Sequence, residues 1–435
     1  MNIVYAIPEF VTEEIESGLA TYYDNLSRIL ADRGHSISVF VTSDKEQSID
    51  YYSGVRVIRV KDDISCVNPS IQGSYMRKRS TDMRKAIYKY CDSGHNIDLV
   101  QYANYMGYGI ERINKPTVVR VSSYRPLLRN SAELNFNYRK EYRSCRVADF
   151  IEDISMLRAD SVYGPSKLCA EYISGQLSID VDVIESPFYP RYLDNKICDE
   201  KVMRIIDGKR FVLTFGSIML LKGAMLIGDC IYDILKNNPD VHWVFAGPEH
   251  DWIDNKGDKI HPSEYITNMA RETSGRVIFL GKIDKNTMYS VVRKALLCIL
   301  PSRMDNLPNT CIEAMAIGKI VIGTKRASFE QLINDNDNGF LTEIDNINML
   351  IDKVNYVLRL SEDEIVRIGN KAKESINRMH PDLIANRIIE LYEKTIIDYN
   401  NGGIVHNADS LKSIVKKHND LLDSSYGEEA LCYHL

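Results

Sequence analysis

Pro301-Ser-Arg-Met-Asp-Asn-Leu-Pro-Asn-Thr-Cys-Ile-Glu-Ala-Met-Ala-Ile-Gly318 reads as the end of a strand, a turn-rich loop and the opening of a helix. The apolar run Leu296–Leu300 leads into it and Ile320–Gly323 follows it, so a helix joins two buried strands. The spacing predicts a helix that begins near Asn309, with Asp305 in the preceding loop and Glu313 in the first helical turns. Free N–H groups at such a helix start, near Asn309 and Thr310, are a ready anion site. One carboxylate, one phosphate cradle and a second carboxylate are therefore expected at the C-terminal end of a strand. That set suits a sugar nucleotide: Asp305 for sugar hydroxyls, amides for the diphosphate, Glu313 for the ribose diol.

The same alternation extends outward in both directions. Towards the N-terminus the strand-like runs are Asn2–Pro8, Ser36–Thr42, Val55–Val60, Leu99–Ala103, Thr117–Ser123, Ser161–Pro165 and Val181–Ser186. Several are continuous in Val and Ile, as strands buried on both faces of a parallel sheet require. Between the first two, Leu19–Arg33 has helical apolar spacing and stops at Gly34. The second half repeats the scheme with Phe211–Phe215, Val241–Ala246, Val277–Leu280 and Gly339–Thr342, and with a helix over Gly223–Lys236. Asp194–Asp207 reads as a linker or a first helix. The expected architecture is α/β, with two Rossmann-like domains facing a central cleft. The expected boundaries are 1–190 and 191–378, then a crossover helix over 379–400 and a polar tail over 401–435, in which Leu411–Leu422 has helical character.

Composition fits this and removes other classes. The chain has 435 residues, 44% hydrophobic and 26% charged, the balance of a soluble globular protein that needs no staple to fold. A formal net charge of -6 disfavours general nucleic-acid binding. Nine Cys occur without a C-x-x-C pair, which argues against a zinc site and a disulfide framework and for a reducing, cytoplasmic compartment. The start MNIVYAIPEF lacks the basic region of a signal peptide, and no window reaches the apolar length of a membrane span.

Asp305…Glu313 followed by Ala-Met-Ala-Ile-Gly-Lys-Ile-Val-Ile-Gly-Thr324 resembles the E-x7-E region of family-four retaining glycosyltransferases of GT-B fold. Phe215-Gly-Ser-Ile-Met-Leu-Leu-Lys-Gly223 is similar to that family's G-R-x4-K-G phosphate loop. Val244-Phe-Ala-Gly-Pro-Glu249 and Val277-Ile-Phe-Leu-Gly281 resemble its next strand ends, and Ala159–Lys167 and Val183–Pro187 the end of its N-terminal domain. The resemblance implies a donor site of Gly18, Gly216, Ser217, Lys222, Gly223, Gly247, Glu249, Lys282, Ile283, Arg303, Asp305, Asn306, Leu307, Pro308, Asn309, Thr310 and Glu313. It implies catalytic roles for Asp305, Lys222 and Ser122, a UDP-sugar as donor, and no cofactor or metal. The acceptor would bind the N-terminal domain, and cell-envelope polysaccharide or glycolipid assembly is the implied setting.

This chain departs from the pattern in four places. Asp305 replaces the usual Glu, one methylene shorter; Ser217 stands where a phosphate-binding Arg is expected; Gly18 is single where Gly is usually paired; and Ser122-Ser123 stand where His is usual. Arg303, Arg120 or Arg125 is left to supply the second phosphate cation. Taken alone, Asp305 and Glu313 read as a loop charge and a helix-start charge, Lys222 as an exposed lysine, and Ser122 as structural. Competing functions are a nucleotide-sugar-binding protein without catalysis, a sugar-nucleotide epimerase of similar fold, and an NAD-dependent oxidoreductase. Against the last, Ala6-Ile-Pro-Glu-Phe10 stands where G-x-G-x-x-G belongs. Finally, Met76–Arg146 carries 15 Lys/Arg against 6 Asp/Glu and is rich in Tyr. Arg77, Lys78, Arg79 and Arg125 are thus candidates for an acceptor patch or a peripheral contact with the inner membrane face.

Overall fold

A computed structural model describes residues 1–402 except 16, 46–48, 64, 66, 69–72, 133–138, 190–197 and 255, together with 415 and 416. The helix read over Leu411–Leu422 therefore lies largely outside the described residues. The chain divides into two compact units. Met1–Leu127, Leu134–Pro187 and Pro381–Leu435 form the first, and Leu128–Glu133 with Phe188–His380 form the second.

The first unit is built on β1 (Asn2–Ile7), β2 (Ser36–Ser43), β3 (Ile49–Tyr52), β4 (Val55–Lys61), β5 (Leu99–Ala103), β6 (Thr117–Arg120), β7 (Ser161–Gly164) and β8 (Asp182–Val183). They form one sheet in the order β3-β4-β2-β1-β5-β6-β7-β8. Every pairing is parallel except β3 with β4. Its helices are α1 (Gly18–Asp32), α2 (Ser74–Asp92), α3 (Arg125–Ala132), α4 (Arg139–Leu157) and α5 (Lys167–Leu177). β5 is buried over its whole length, as the apolar run Leu99–Ala103 demands of a strand covered on both faces. Ser17 starts α1 by accepting a hydrogen bond from the Ala20 amide (3.0 Å), and Gly34, at φ 85°, takes the chain out of it.

The second unit holds α6 (Glu200–Ile205), β9 (Arg210–Phe215), α7 (Ala224–Asn237), β10 (Val241–Ala246), β11 (Trp252–Ile253), β12 (Lys259–Ile260), α8 (Pro262–Met269), β13 (Val277–Phe279), α9 (Lys285–Lys294), β14 (Cys298–Ile299), α10 (Asn309–Ala316), β15 (Val321–Thr324), β16 (Phe340–Thr342), α11 (Ile347–Val357) and α12 (Glu362–Ser375). Its parallel sheet runs β13-β10-β9-β14-β15-β16. Alternate residues of one strand feed the two sides: Phe211, Leu213 and Phe215 enter one core and Val212 the other. The last helix, α13 (Pro381–Asn400), groups with the first unit, where Tyr392 donates to Gln101 (2.6 Å).

Strand and helix positions follow the sequence reading, with several differences. Val181–Ser186 shrinks to the two residues of β8, an edge strand with a partner on one side only. β3 and the small β11–β12 hairpin carry no long apolar run and were not signalled by sequence pattern. Asp194–Asp207 contains a helix, α6, capped by the Asp199 side chain.

Candidate functional site

In the second unit the loops after β9, β10 and β14 are held against one another by backbone contact. Gly223 has φ 83°, and a Cβ there would lie 2.2 Å from the Pro301 carbonyl oxygen. Gly247 has φ 145°, and a Cβ there would lie 1.9 Å from the Gly216 carbonyl oxygen. Only glycine fits either position, on conformational and steric grounds together. Gly216 in turn sits close to Thr310, and the Arg303 amide donates to the Leu221 carbonyl (2.9 Å). The Gly247 amide donates to the Gly281 carbonyl (2.8 Å), which brings the loop with Lys282 and Ile283 alongside. The segments read from sequence as one site thus converge at the C-terminal ends of parallel strands, where open α/β sheets bind ligands.

The charged groups lie within this frame. Lys222 Nζ and Asp305 are paired, with side chains 31% and 18% exposed. The other Asp305 oxygen accepts from the Asn306 amide (3.0 Å), and the Asp305 carbonyl accepts from Ser328 Oγ (2.9 Å). The carboxylate is therefore fixed beside the lysine. α10 begins at Asn309 after Pro308, with no side-chain cap on its first amides. Those amides, Lys222 and Asp305 combine a cationic and dipolar cradle with a hydrogen-bond acceptor. Glu313, on the second turn of α10, accepts from the Tyr289 hydroxyl (3.2 Å). Burial pushes its carboxyl above the usual range, partly opposed by Lys285.

Some expected members have other engagements. Arg303 forms a two-point ion pair with Asp345 (3.0 and 2.7 Å), so it is not an uncommitted substitute for the arginine replaced by Ser217. Glu249 accepts from the Ser263 amide (2.8 Å) at the start of α8 and faces His261 (3.3 Å). The Leu307 side chain is part of the apolar core, which leaves its backbone for any ligand. Tyr289, Lys285, Asp345 and Ser328 were not read from sequence; each belongs to the neighbourhood through tertiary contact and carries no local motif.

The first unit holds the remaining candidates. Gly18 is the exposed first residue of α1. Ser122 follows β6; its amide donates to Asn104 Oδ1 (2.8 Å) and its hydroxyl accepts from Arg120 (2.7 Å). The four residues named for the basic patch each have a carboxylate nearby. Lys78 pairs with Asp82, Arg79 with Asp62 and Arg77 with Glu111 (3.6 Å). Arg125 lies 3.4 Å from buried Glu152, whose own carboxyl burial pushes up to about 8. Asp62 and Glu152 lie outside the counted segment, so the charge count did not include them. No helix among the described residues is long and apolar enough to cross a membrane.

Residues 198–375 match the family described as Glycosyl transferases group 1. The chain is 22% identical over 214 residues to spore coat protein SA of Bacillus subtilis, covering 48% of this chain and 55% of that protein. It spans about half the length of the curated relatives it matches. Among solved structures it resembles a sucrose-phosphate synthase from Thermosynechococcus elongatus with a TM-score of 0.69 at 16% identity, over 91% of this chain and 99% of that one. It also resembles Anabaena HepE in complex with UDP-glucose, with a TM-score of 0.63 at 16% identity, over 91% and 100%. At these identities the likeness is one of fold, and the fold is GT-B.

Proposed function

We propose, from the premise that residues 198–375 belong to the group 1 glycosyl transferases, that this chain transfers a sugar from a UDP-sugar to an acceptor with retention. The observation that supports this most is the convergence of Lys222, Asp305, Glu313 and the uncapped start of α10 on one end of one sheet. Lys222 and the Asn309 and Thr310 amides take up the charge of the departing diphosphate, a role assigned to protein groups and not to a metal ion. Asp305 accepts from donor-sugar hydroxyls and Glu313 from the ribose diol. Ser122 offers a hydroxyl where imidazole is usual, so no side chain here is assigned the part of general base. The leaving phosphate assists deprotonation of the acceptor on the same face. HepE is described in complex with UDP-glucose, and that supports uridine as the base. The acceptor is assigned to the first unit, and cell-envelope polysaccharide or glycolipid assembly on the cytoplasmic side is the setting proposed.

Thermal stability with UDP, GDP, ADP, NAD and common nucleotide sugars tests the donor assignment. A ligand at about 100 times its dissociation constant adds roughly 2.7 kcal/mol, which a melting scan resolves. A shift with UDP and its sugars that disappears in Lys222→Ala is expected. A shift with NAD alone, or an identical UDP shift in the variant, overturns the reading.

A further inference from the structure

Arg120, the last residue of β6, is only 4% exposed, and among the described residues no carboxylate forms an ion pair with it. Its guanidinium lies 3.4 Å over the Tyr22 ring. One terminal nitrogen donates to Ser122 Oγ (2.7 Å) and the other to Ser186 Oγ (3.2 Å). Nε is buried and has no hydrogen-bond partner. Beneath it lies a network of neutral groups: Tyr22 with Tyr163 (2.8 Å), Tyr163 with Gln101 (3.0 Å), and Gln101 with Tyr23 (3.1 Å). Burial pushes the phenols of Tyr22, Tyr23 and Tyr163 up, so none supplies a counter-charge near neutral pH. A buried guanidinium without a carboxylate is costly, and this one is met by neutral groups, the Tyr22 side chain and the Ser122 and Ser186 hydroxyls.

The surroundings are those of a prepared site. Ser122 and Ser186, whose hydroxyls accept from the guanidinium, are both half-buried, while Arg120 itself is buried. The Ser122-Ser123 turn is clamped by buried Asn104, which accepts from the Ser122 amide (2.8 Å) and donates to the Ser123 carbonyl (2.7 Å). The position is the C-terminal end of a parallel strand, one strand beyond the point where the order of the sheet reverses between β1 and β5. A guanidinium edge with free N–H capacity, flanked by rotatable hydroxyls, matches a planar carboxylate or a phosphate.

We propose that Arg120, with Ser122 and Ser186, binds an anionic group, phosphate or carboxylate, carried by the acceptor. Calling the ligand an acceptor rests on the transferase reading; anion binding in the first unit does not.

The test titrates the full chain calorimetrically with inorganic phosphate at constant ionic strength, with and without saturating UDP. With UDP filling the donor site, one-site phosphate binding is expected to remain. Arg120→Met should weaken it by roughly tenfold or more, as loss of a charge-assisted contact implies. Ser122→Ala combined with Ser186→Ala keeps the charge and should weaken binding several-fold, so the proposal stays testable if the arginine variant fails to fold. Arg120→Met should melt no lower than the parent in phosphate-free buffer. Equal phosphate binding in parent and Arg120→Met overturns the proposal, as does a large fall in melting temperature, which marks a structural brace. Loss of phosphate binding on adding UDP assigns the anion to the donor's own diphosphate and also overturns it. Failure of UDP to bind leaves the UDP-free titration intact, so the two readings fail separately.

Discussion

Two cationic sites, one in each unit, are built in opposite ways. In the second, Lys222 is met by Asp305 and Arg303 by Asp345, so each charge has a carboxylate within the protein. In the first, Arg120 is met by two serine hydroxyls and the face of Tyr22. An internal pair sets the position of its members in advance, and a ligand's phosphate must compete with the aspartate for the lysine. A cation without a carboxylate gains its counter-charge only when ligand arrives. The first arrangement favours orientation during turnover, the second discrimination at the moment of binding.

Breaking the pair in the second unit should have the largest effect. Asp305→Ala is expected to lower transfer by on the order of a hundredfold or more while the melting temperature stays near that of the parent, because the role proposed for the side chain lies in contacts with the donor sugar. Steady-state kinetics with circular dichroism as control checks this, and parental turnover removes Asp305 from the site.

The loop frame comes next. Gly247→Ala drives a methyl group into the Gly216 carbonyl at a φ of 145° and should cost about 2–4 kcal/mol. Gly208→Ala, also at positive φ but with open space around the new atom, should cost only about 1 kcal/mol. Equal losses in chemical denaturation would show that the contact between the β9 and β10 loops is not tight.

Glu313 provides a pH test with a defined sign. Its folded-state carboxyl is raised by burial, so folding binds the proton more tightly than the unfolded chain does. Its contribution to stability is therefore present below the ordinary carboxylate range and is lost as pH rises through the raised value. Nucleotide binding should run the other way, since the proposed role of Glu313 is to accept from the ribose hydroxyls as the ionised carboxylate. UDP affinity should fall on acidification, starting at a higher pH than an ordinary glutamate would give. Glu313→Gln should flatten that profile; an unchanged profile assigns the effect to another group.

The smallest effect expected in folding is at Ser122. Its hydroxyl is half-exposed and neutral, so Ser122→Ala should change stability by no more than about 1 kcal/mol. A larger loss would mean that Arg120 depends on Ser122 for its fold, and the contrast between the two units would weaken.

Sequence pattern carried the strands because most are buried on both faces, and such runs stand out: Val241–Ala246 is strand β10 to the residue. It also carried the site where chemistry is local. Gly223, Lys222, the Asp305 loop and the start of α10 each lie at a strand-to-helix junction that turn residues announce. It did not carry charge partners. Lys222 and Asp305 are 83 residues apart and Arg303 and Asp345 are 42 apart, so pairing between them exists only in the folded chain. The basic segment from Met76 to Arg146 shows the same limit, since Asp62, which pairs with Arg79, precedes it. Arg120 was legible as a strand residue, but its burial without a carboxylate was not.

The central claim is that the loops after β9, β10 and β14 form a nucleoside-diphosphate site in which Lys222 carries the phosphate charge. Calorimetric titration of UDP against the parent chain and Lys222→Ala, at the same pH and ionic strength, tests it directly. Saturable one-site binding in the parent, weakened by roughly tenfold or more in the variant, is the predicted result. Equal affinity in the two proteins, or no binding to the parent by UDP, would contradict it.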